Sequence, residues 1–290
     1  MRFKHLPDLN KRLSVSLITL VCIGTLLSFY TFIPVTIILV LTVASLAGIG
    51  VWEYARLAHA KQFQPASKTM IVVAIAEVFA FFAAHKQVVI PEFPALILVI
   101  GVIIFFILHF KGAKHALVDI AVEFFGVCYV AVPLSFILGI LYPLASHGFT
   151  QDGRWWLVYL IAVTKITDVV AYFVGKLWGK RKLAPVLSPK KTIEGAIAGF
   201  IGALLTSIAF SFVGEKLAPH TFHLPLTASI LLGVVIGVLA QIGDLAESLL
   251  KRDAVVKDSN TLPGLGGVLD MVDSLLLTAP ILYFYLKIVS

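Results

Sequence analysis

The segment from Gly243 to Asp273 gathers side chains that can do chemistry together. Asp244, Glu247, Ser248 and Lys251 stand at i, i+3, i+4 and i+7, which on a helix sets an acid pair and a base along one stripe. Asp270 and Asp273, again i and i+3, open a later apolar run, so both carboxylates face one way. Two carboxylates on each of two helices make an all-oxygen set, the kind a hard divalent ion such as Mg²⁺ takes. Between them lie Lys251, Arg252 and Lys257, then the turn Pro263-Gly264-Leu265-Gly266-Gly267. A glycine turn lets backbone N–H groups approach an anion and opens a helix whose N-terminus favours negative charge. Carboxylates, cations and glycines together describe a nucleotide or phosphate site. The bland alternative is a charged juxtamembrane loop, its cations on lipid headgroups and its acids paired to them.

A second cluster runs from Lys180 to Gly195, with five cations (Lys180, Arg181, Lys182, Lys190, Lys191) ahead of Thr192 and Glu194. It is suited to the phosphates of a nucleotide or of an anionic lipid, although a basic loop is also what membrane topology alone demands. No GxxxxGK[ST] phosphate loop is present, which excludes that class of ATPase motif. Lys165 and Asp168 are i, i+3 inside an apolar run and form either the lining of a polar cavity or a structural clamp. The eight histidines show no metal-ligand spacing, and Cys22 and Cys128 sit in apolar runs as packing residues.

The elements that must position these groups are membrane helices. Of 290 residues, 59% are apolar and only 13% charged, against about 25% charged in an average soluble domain. The mean hydropathy of +0.99 excludes a water-soluble globule and a disordered chain. About 20 apolar residues span a bilayer as a helix. On that rule spans fall near residues 13–30, 33–52, 69–85, 94–110, 118–145, 155–175, 193–213, 226–245 and 268–287. The expectation is an all-α, polytopic integral membrane protein of about nine transmembrane helices. The fifth span, with Pro133 and Pro143, is either one kinked helix or a helix followed by a re-entrant piece. No cleavable signal peptide is evident.

The net charge of +7 is explained by topology and calls for no nucleic-acid partner. With the N-terminus cytoplasmic, 18 of the 23 Lys and Arg fall on inside segments, which predicts N-terminus in and C-terminus out, with the loops 176–192 and 247–267 on the cytoplasmic side. Up to about residue 150 the polar residues follow a bland pattern, with Trp52 and Tyr54 at a membrane boundary. Residues 1–150 are therefore assigned to packing, lipid access and dimerisation, and residues 151–290 to the working part.

The motifs carry a resemblance. Ser248-x-Leu250-Lys251-Arg252, then Lys257-Asp258, then Leu262-Pro263-Gly264-x-Gly266-Gly267-x-Leu269-Asp270-x-x-Asp273 resembles the signature of the phosphatidate cytidylyltransferases, or CDP-diacylglycerol synthases. Asp168-x-x-Ala171-Tyr172-x-x-Gly175, Lys182-Leu183-Ala184-Pro185 and Ser188-Pro189-x-Lys191-Thr192-x-Glu194-Gly195 are similar to that family's other motif block. Three departures stand out: Leu265 where the family usually has His, Met271 where Arg commonly follows the Asp, and one residue fewer between Asp258 and Leu262.

The resemblance implies that the phosphate of phosphatidic acid attacks the α-phosphorus of CTP, giving CDP-diacylglycerol and pyrophosphate in phospholipid biosynthesis at the bacterial inner membrane. It implies Asp244, Asp270 and Asp273 as ligands of Mg²⁺, with room for a second cation, and Lys251, Arg252 and Lys191 on phosphates. Asp168, Ser188, Thr192, Glu194, Ser248, Lys257, Asp258, Gly264, Gly266 and Gly267 would line the substrate site. Expected partners are CTP, phosphatidic acid and membrane lipid, with a second copy of the chain as a further candidate. Two rivals are weighed against this. An ion-coupled transporter would carry acids deep in several helices and no glycine-rich loop. A polyprenol kinase or archaeal-type lipid cytidylyltransferase would share the architecture and differ in the lipid.

Overall fold

A computed structural model of the chain describes residues 23–110, 112, 115–143, 152–219, 221–255 and 267–289. Residues 23–28 are helical, and the rest of the predicted first span lies outside the described residues. The helices that follow are α1 (Ile33–Ala60), α2 (Ser67–His85), α3 (Phe93–His109), α4 (Ala116–Leu141), α5 (Gly153–Trp178), α6 (Ile193–Leu217), α7 (Leu226–Asp253) and α8 (Val268–Val289). All but α3 are long and apolar enough to cross a membrane; α3 is apolar but has 17 residues. The protein is an all-α integral membrane protein whose only sheet among the described residues is a small hairpin between α5 and α6.

Three predicted spans have different ends in the structure. The span expected at 33–52 continues to Ala60 and that at 226–245 continues to Asp253. A hydropathy window stops at the first charged residues, whereas the backbone hydrogen-bond ladder runs through them. Lys251 and Arg252 thus belong to the last turn of α7 and not to a loop, with the Glu247–Lys251 pair at i, i+4 on its surface. Tyr54 is buried inside the bundle, and only Trp52 faces outward. The expected 118–145 segment is one helix, α4, which carries Pro133 within it and ends before Pro143, so the re-entrant alternative is set aside.

The hairpin pairs β1 (Lys182–Ala184) with β2 (Ser188–Thr192) antiparallel, Lys182 opposite Thr192 and Ala184 opposite Ser188. Thr192 then caps α6, its Oγ1 accepting from Gly195 N–H at 3.2 Å. Glycines let helices meet backbone to backbone here. A Cβ on Gly199 would stand 2.6 Å from the Thr167 carbonyl oxygen of α5.

One continuous cluster of buried apolar residues runs through both halves, from Val51 of α1 through Leu134 of α4 and Leu160 of α5 to Leu276 of α8. The polar content of the first half is not bland. Glu53, Glu77, Asp119 and Glu123 are all buried. Asp119 accepts from Gln64 N–H at 3.0 Å and Glu123 from Ala66 N–H at 2.6 Å. The link between α1 and α2 has backbone donors that need acceptors, and α4 supplies them.

Candidate active site

A cavity of about 600 Å³ opens between α5, the hairpin, α6 and α7. Asp168, Tyr172 and Lys176 line it from α5, Lys182, Lys190 and Lys191 from the hairpin, and Gln241 and Asp244 from α7. Four lysines around one hollow set up a field that draws polyanions, and low-dielectric walls concentrate it. Gln241 is held in place by donating to the carbonyls of Ala196 (3.1 Å) and Gly237 (3.2 Å).

Asp168 and Asp244 are carboxylates in the wall of this cavity, and Asp273 adjoins Asp168 through Ser274. Asp244 pairs with Lys191 of β2, Nζ to Oδ2 2.5 Å. Its charge is felt by Asp168 of α5 and by Asp273 of α8. Ser274 Oγ lies between those two, 3.2 Å from Asp168 Oδ2 and 3.0 Å from Asp273 Oδ1. Lys165 adds a second ammonium, 3.8 Å from Asp168 and donating to the Met271 carbonyl at 3.2 Å. The close approach of α7 and α8 depends on Gly243, where a Cβ would stand 2.6 Å from the Asp273 carbonyl oxygen. Asp244 and Asp273 can share a site because the residue beside Asp244 has no side chain.

A second charged group lies where α7 meets the start of α8. Lys251 Nζ is 2.7 Å from Glu247 Oε2 and 2.7 Å from Asp270 Oδ1, one ammonium between two carboxylates. Glu247 is buried. Arg252, one residue on, donates through Nε to the Leu187 carbonyl at 3.1 Å and so ties the hairpin's tip to α7. Asp270 Oδ2 also receives the Gly267 N–H at 3.4 Å.

The N-terminus of α8, expected from sequence to face a phosphate, faces a carboxylate of the chain itself. Glu53 of α1 accepts from Val268 N–H at 3.0 Å and from Leu269 N–H at 2.7 Å. All three residues are buried, so water cannot serve those donors, and a buried helix start without acceptors is heavily penalised.

The sequence-derived residues therefore fall into groups. Asp168, Lys191, Thr192 and Asp244 line the cavity, and Asp273 adjoins it through Ser274. Asp270 and Lys251 belong to the neighbouring charged group. Thr192 and Glu194 hold local structure: Glu194 accepts from the Lys180 and Arg181 N–H groups, at 3.0 and 3.2 Å, and closes the base of the hairpin. Ser188 begins β2 and Ser248 lies on α7. Lys257, Asp258, Gly264, Leu265 and Gly266 lie outside the described residues. Sequence reasoning passed over Gln241, Ser274 and Glu53. For Glu53 the signal was present, since a lone carboxylate in an apolar helix is costly unless it has a task.

The donor chemistry suits a hard divalent ion, because Asp168, Asp244 and Asp273 offer only oxygen and Asp244 repels the other two. Among the described residues no three acidic, histidine or cysteine side chains lie close enough to form a ready metal cage. Lysines hold two of the expected ligands instead, Lys191 on Asp244 and Lys251 on Asp270.

A family model described as the cytidylyltransferase family matches residues 10–289. The chain is 33% identical over 287 residues to a phosphatidate cytidylyltransferase of Chlamydia pneumoniae, covering 97% of this chain and 92% of that protein. It is 32% identical over 260 residues to one of Synechocystis, covering 82% and 84%. A third, from Bacillus subtilis, is 43% identical over 150 residues, about half of each chain (51% and 54%).

Proposed function

The chain belongs to the cytidylyltransferase family, and on that premise we propose that it transfers the cytidylyl group of CTP to phosphatidic acid, releasing pyrophosphate and leaving CDP-diacylglycerol in the membrane. The observation that carries this reading is the lysine-lined cavity with the carboxylates of Asp168 and Asp244 in its wall, inside a bundle of membrane-crossing length. A nucleotide needs an aqueous, cationic hollow, and a lipid phosphate needs lateral access from the bilayer. The surface of α5 beside the hollow supplies the second, with Tyr172, Phe173, Leu177 and Trp178 exposed.

The nucleophile is a phosphate monoester oxygen, already largely ionised near neutral pH. No proton has to be removed before it attacks the α-phosphorus, and the electrons of the broken P–O bond leave with pyrophosphate. The difficulty is repulsion between anions. Lys176, Lys182 and Lys190 gather phosphates and Lys191 moves between Asp244 and the incoming charge. Arg252 keeps the hairpin tip in register with the end of α7, and Lys251 ties the start of α8 to it through Asp270. A divalent ion held by Asp244 with Asp273, Asp270 or Asp168 would neutralise charge on the reacting phosphates. With the acids so occupied, they act as positioners and ligands and not as general bases.

The cation distribution favours a cytoplasmic N-terminus and a cytoplasmic cavity, where CTP is present, and a C-terminus on the other face of the bacterial inner membrane. The test is to incubate purified protein with α-labelled CTP and phosphatidic acid. Label in a chloroform-soluble CDP-lipid with equimolar pyrophosphate is expected. Transfer to a polyprenol phosphate in place of phosphatidic acid, or no transfer, would overturn the reading.

A further inference from the structure

Glu53 stands apart from every motif that points to cytidylyl transfer. It lies 215 residues from its partners in sequence, in the half of the chain assigned to packing. It is nonetheless 1% exposed, with both carboxylate oxygens on the first N–H groups of the helix that carries Asp270 and Asp273. An alcohol or amide side chain caps one such donor; an ionised carboxylate serves both and meets the positive end of the helix dipole.

Helix α1 makes a second attachment to the same region. Lys61, at its C-terminal cap, pairs with Asp253 at the end of α7, Nζ to Oδ1 2.9 Å. Glu53 and Lys61 are eight residues apart, about 12 Å along the helix. Helix α1 therefore holds the end of α7 and the start of α8, on either side of the segment 256–266. The Lys61 pair is exposed and contributes little, so the attachment that fixes α8 is Glu53.

We propose that Glu53 is a positioning residue for the reaction: by holding the first turn of α8 against α1, it sets where Asp270 stands against Lys251 and where Asp273 stands against Asp168 and Asp244. Asp270 is one residue and Asp273 four residues beyond Leu269. A displacement of the first turn passes to both carboxylates with little attenuation, because a helix moves as a rod. Small misplacements of this kind reduce the rate of the chemical step while leaving substrate contacts on α5, α6 and the hairpin in place. The inference rests on the cytidylyltransferase reading for its activity readout and on geometry alone for its structural one.

The experiment uses the full-length chain in bilayer discs, comparing wild type with Glu53→Gln, Glu53→Asp and the control Glu77→Gln, which removes another buried carboxylate in the same half of the chain. CDP-lipid formation gives kcat and both KM values, and hydrogen exchange followed by mass spectrometry reads the peptide containing Val268 and Leu269. For Glu53→Gln the expected result is kcat lower by at least about tenfold, KM for CTP and for phosphatidic acid within about threefold of wild type, and faster exchange confined to the start of α8. Glu77→Gln is expected to leave all of these unchanged. Unchanged exchange at Val268 and Leu269 in Glu53→Gln overturns the cap. Faster exchange with unchanged kcat overturns the positioning role, and so does a fall in kcat matched in Glu77→Gln. Should Glu53→Gln yield no folded protein, Glu53→Asp decides: the charge is kept but its reach is one methylene shorter. A kcat below about a third of wild type with KM values held supports the proposal, and wild-type kcat overturns it. Wild-type protein without CDP-lipid product would count against the function and leave the exchange result to judge the cap.

Discussion

Lys191 and Asp244 form a 2.5 Å ion pair that joins the hairpin to α7 in the wall of the cavity. The pair sits at the junction of the two sequence clusters that carried the chemical argument, and each partner is only partly shielded, the side chains being 25% and 31% exposed. It is therefore held by its neighbours and open to exchange. A phosphate can take Lys191 and a cation can take Asp244 without a buried charge being left alone.

Replacing Lys191 should accordingly affect substrate capture as well as turnover. Lys191→Met is expected to lower kcat/KM for CTP between about tenfold and a hundredfold, the worth of one charge-assisted hydrogen bond. Lys191→Arg, which keeps the charge, should recover more than half of that loss. Initial rates across CTP concentrations check this, and a Lys191→Met enzyme with unchanged kcat/KM would remove the hairpin from the site.

Activity should require a divalent cation. A chelator is expected to abolish turnover and Mg²⁺ to restore it. Asp244→Asn and Asp270→Asn should each lower kcat at least about a hundredfold, since losing a ligand removes several kcal/mol of charge stabilisation. Folded variants with near-normal rates would mark the two carboxylates as partners of Lys191 and Lys251 only.

Gly243→Ala tests the contact between α7 and α8. The new Cβ would meet the backbone of α8, the Asp273 carbonyl oxygen at 2.6 Å and Ser274 Cα at 3.0 Å, so α8 must move. The expected cost is about 1–3 kcal/mol, typical of overpacking, seen as a lower thermal midpoint together with reduced kcat. Gly24→Ala, where nothing among the described residues lies within 4 Å, is the control and should change neither.

Topology can be read by labelling. In a background with Cys22 and Cys128 replaced, single cysteines at Gln62 and Ser188 should react from the same, cytoplasmic side. The Lys61–Asp253 and Lys191–Asp244 pairs bring their segments to one end of the bundle. Labelling from opposite faces would contradict both the cation-based orientation and the packing.

Much of this protein was legible in its residues because membrane helices announce themselves by length and apolarity, and because charges inside such helices are too costly to be casual. Asp168, Asp244, Asp270 and Asp273 were picked out on that ground, and the hairpin region by its cations. Local spacing also set Lys165 beside Asp168, and Glu247 and Lys251 on one stripe, relations that depend only on one helix. Tertiary structure decided everything that depends on which helices meet. It divided the carboxylates, setting Asp244 and Asp273 beside Asp168 and giving Asp270 to Lys251. It turned Thr192 and Glu194 to capping and closing the hairpin. It also placed Glu53 on the start of α8, where sequence reading expected a phosphate. The reason is physical: periodicity within a helix specifies which face a side chain takes, but a buried donor pairs with whatever acceptor packing brings to it, and that acceptor was 215 residues away.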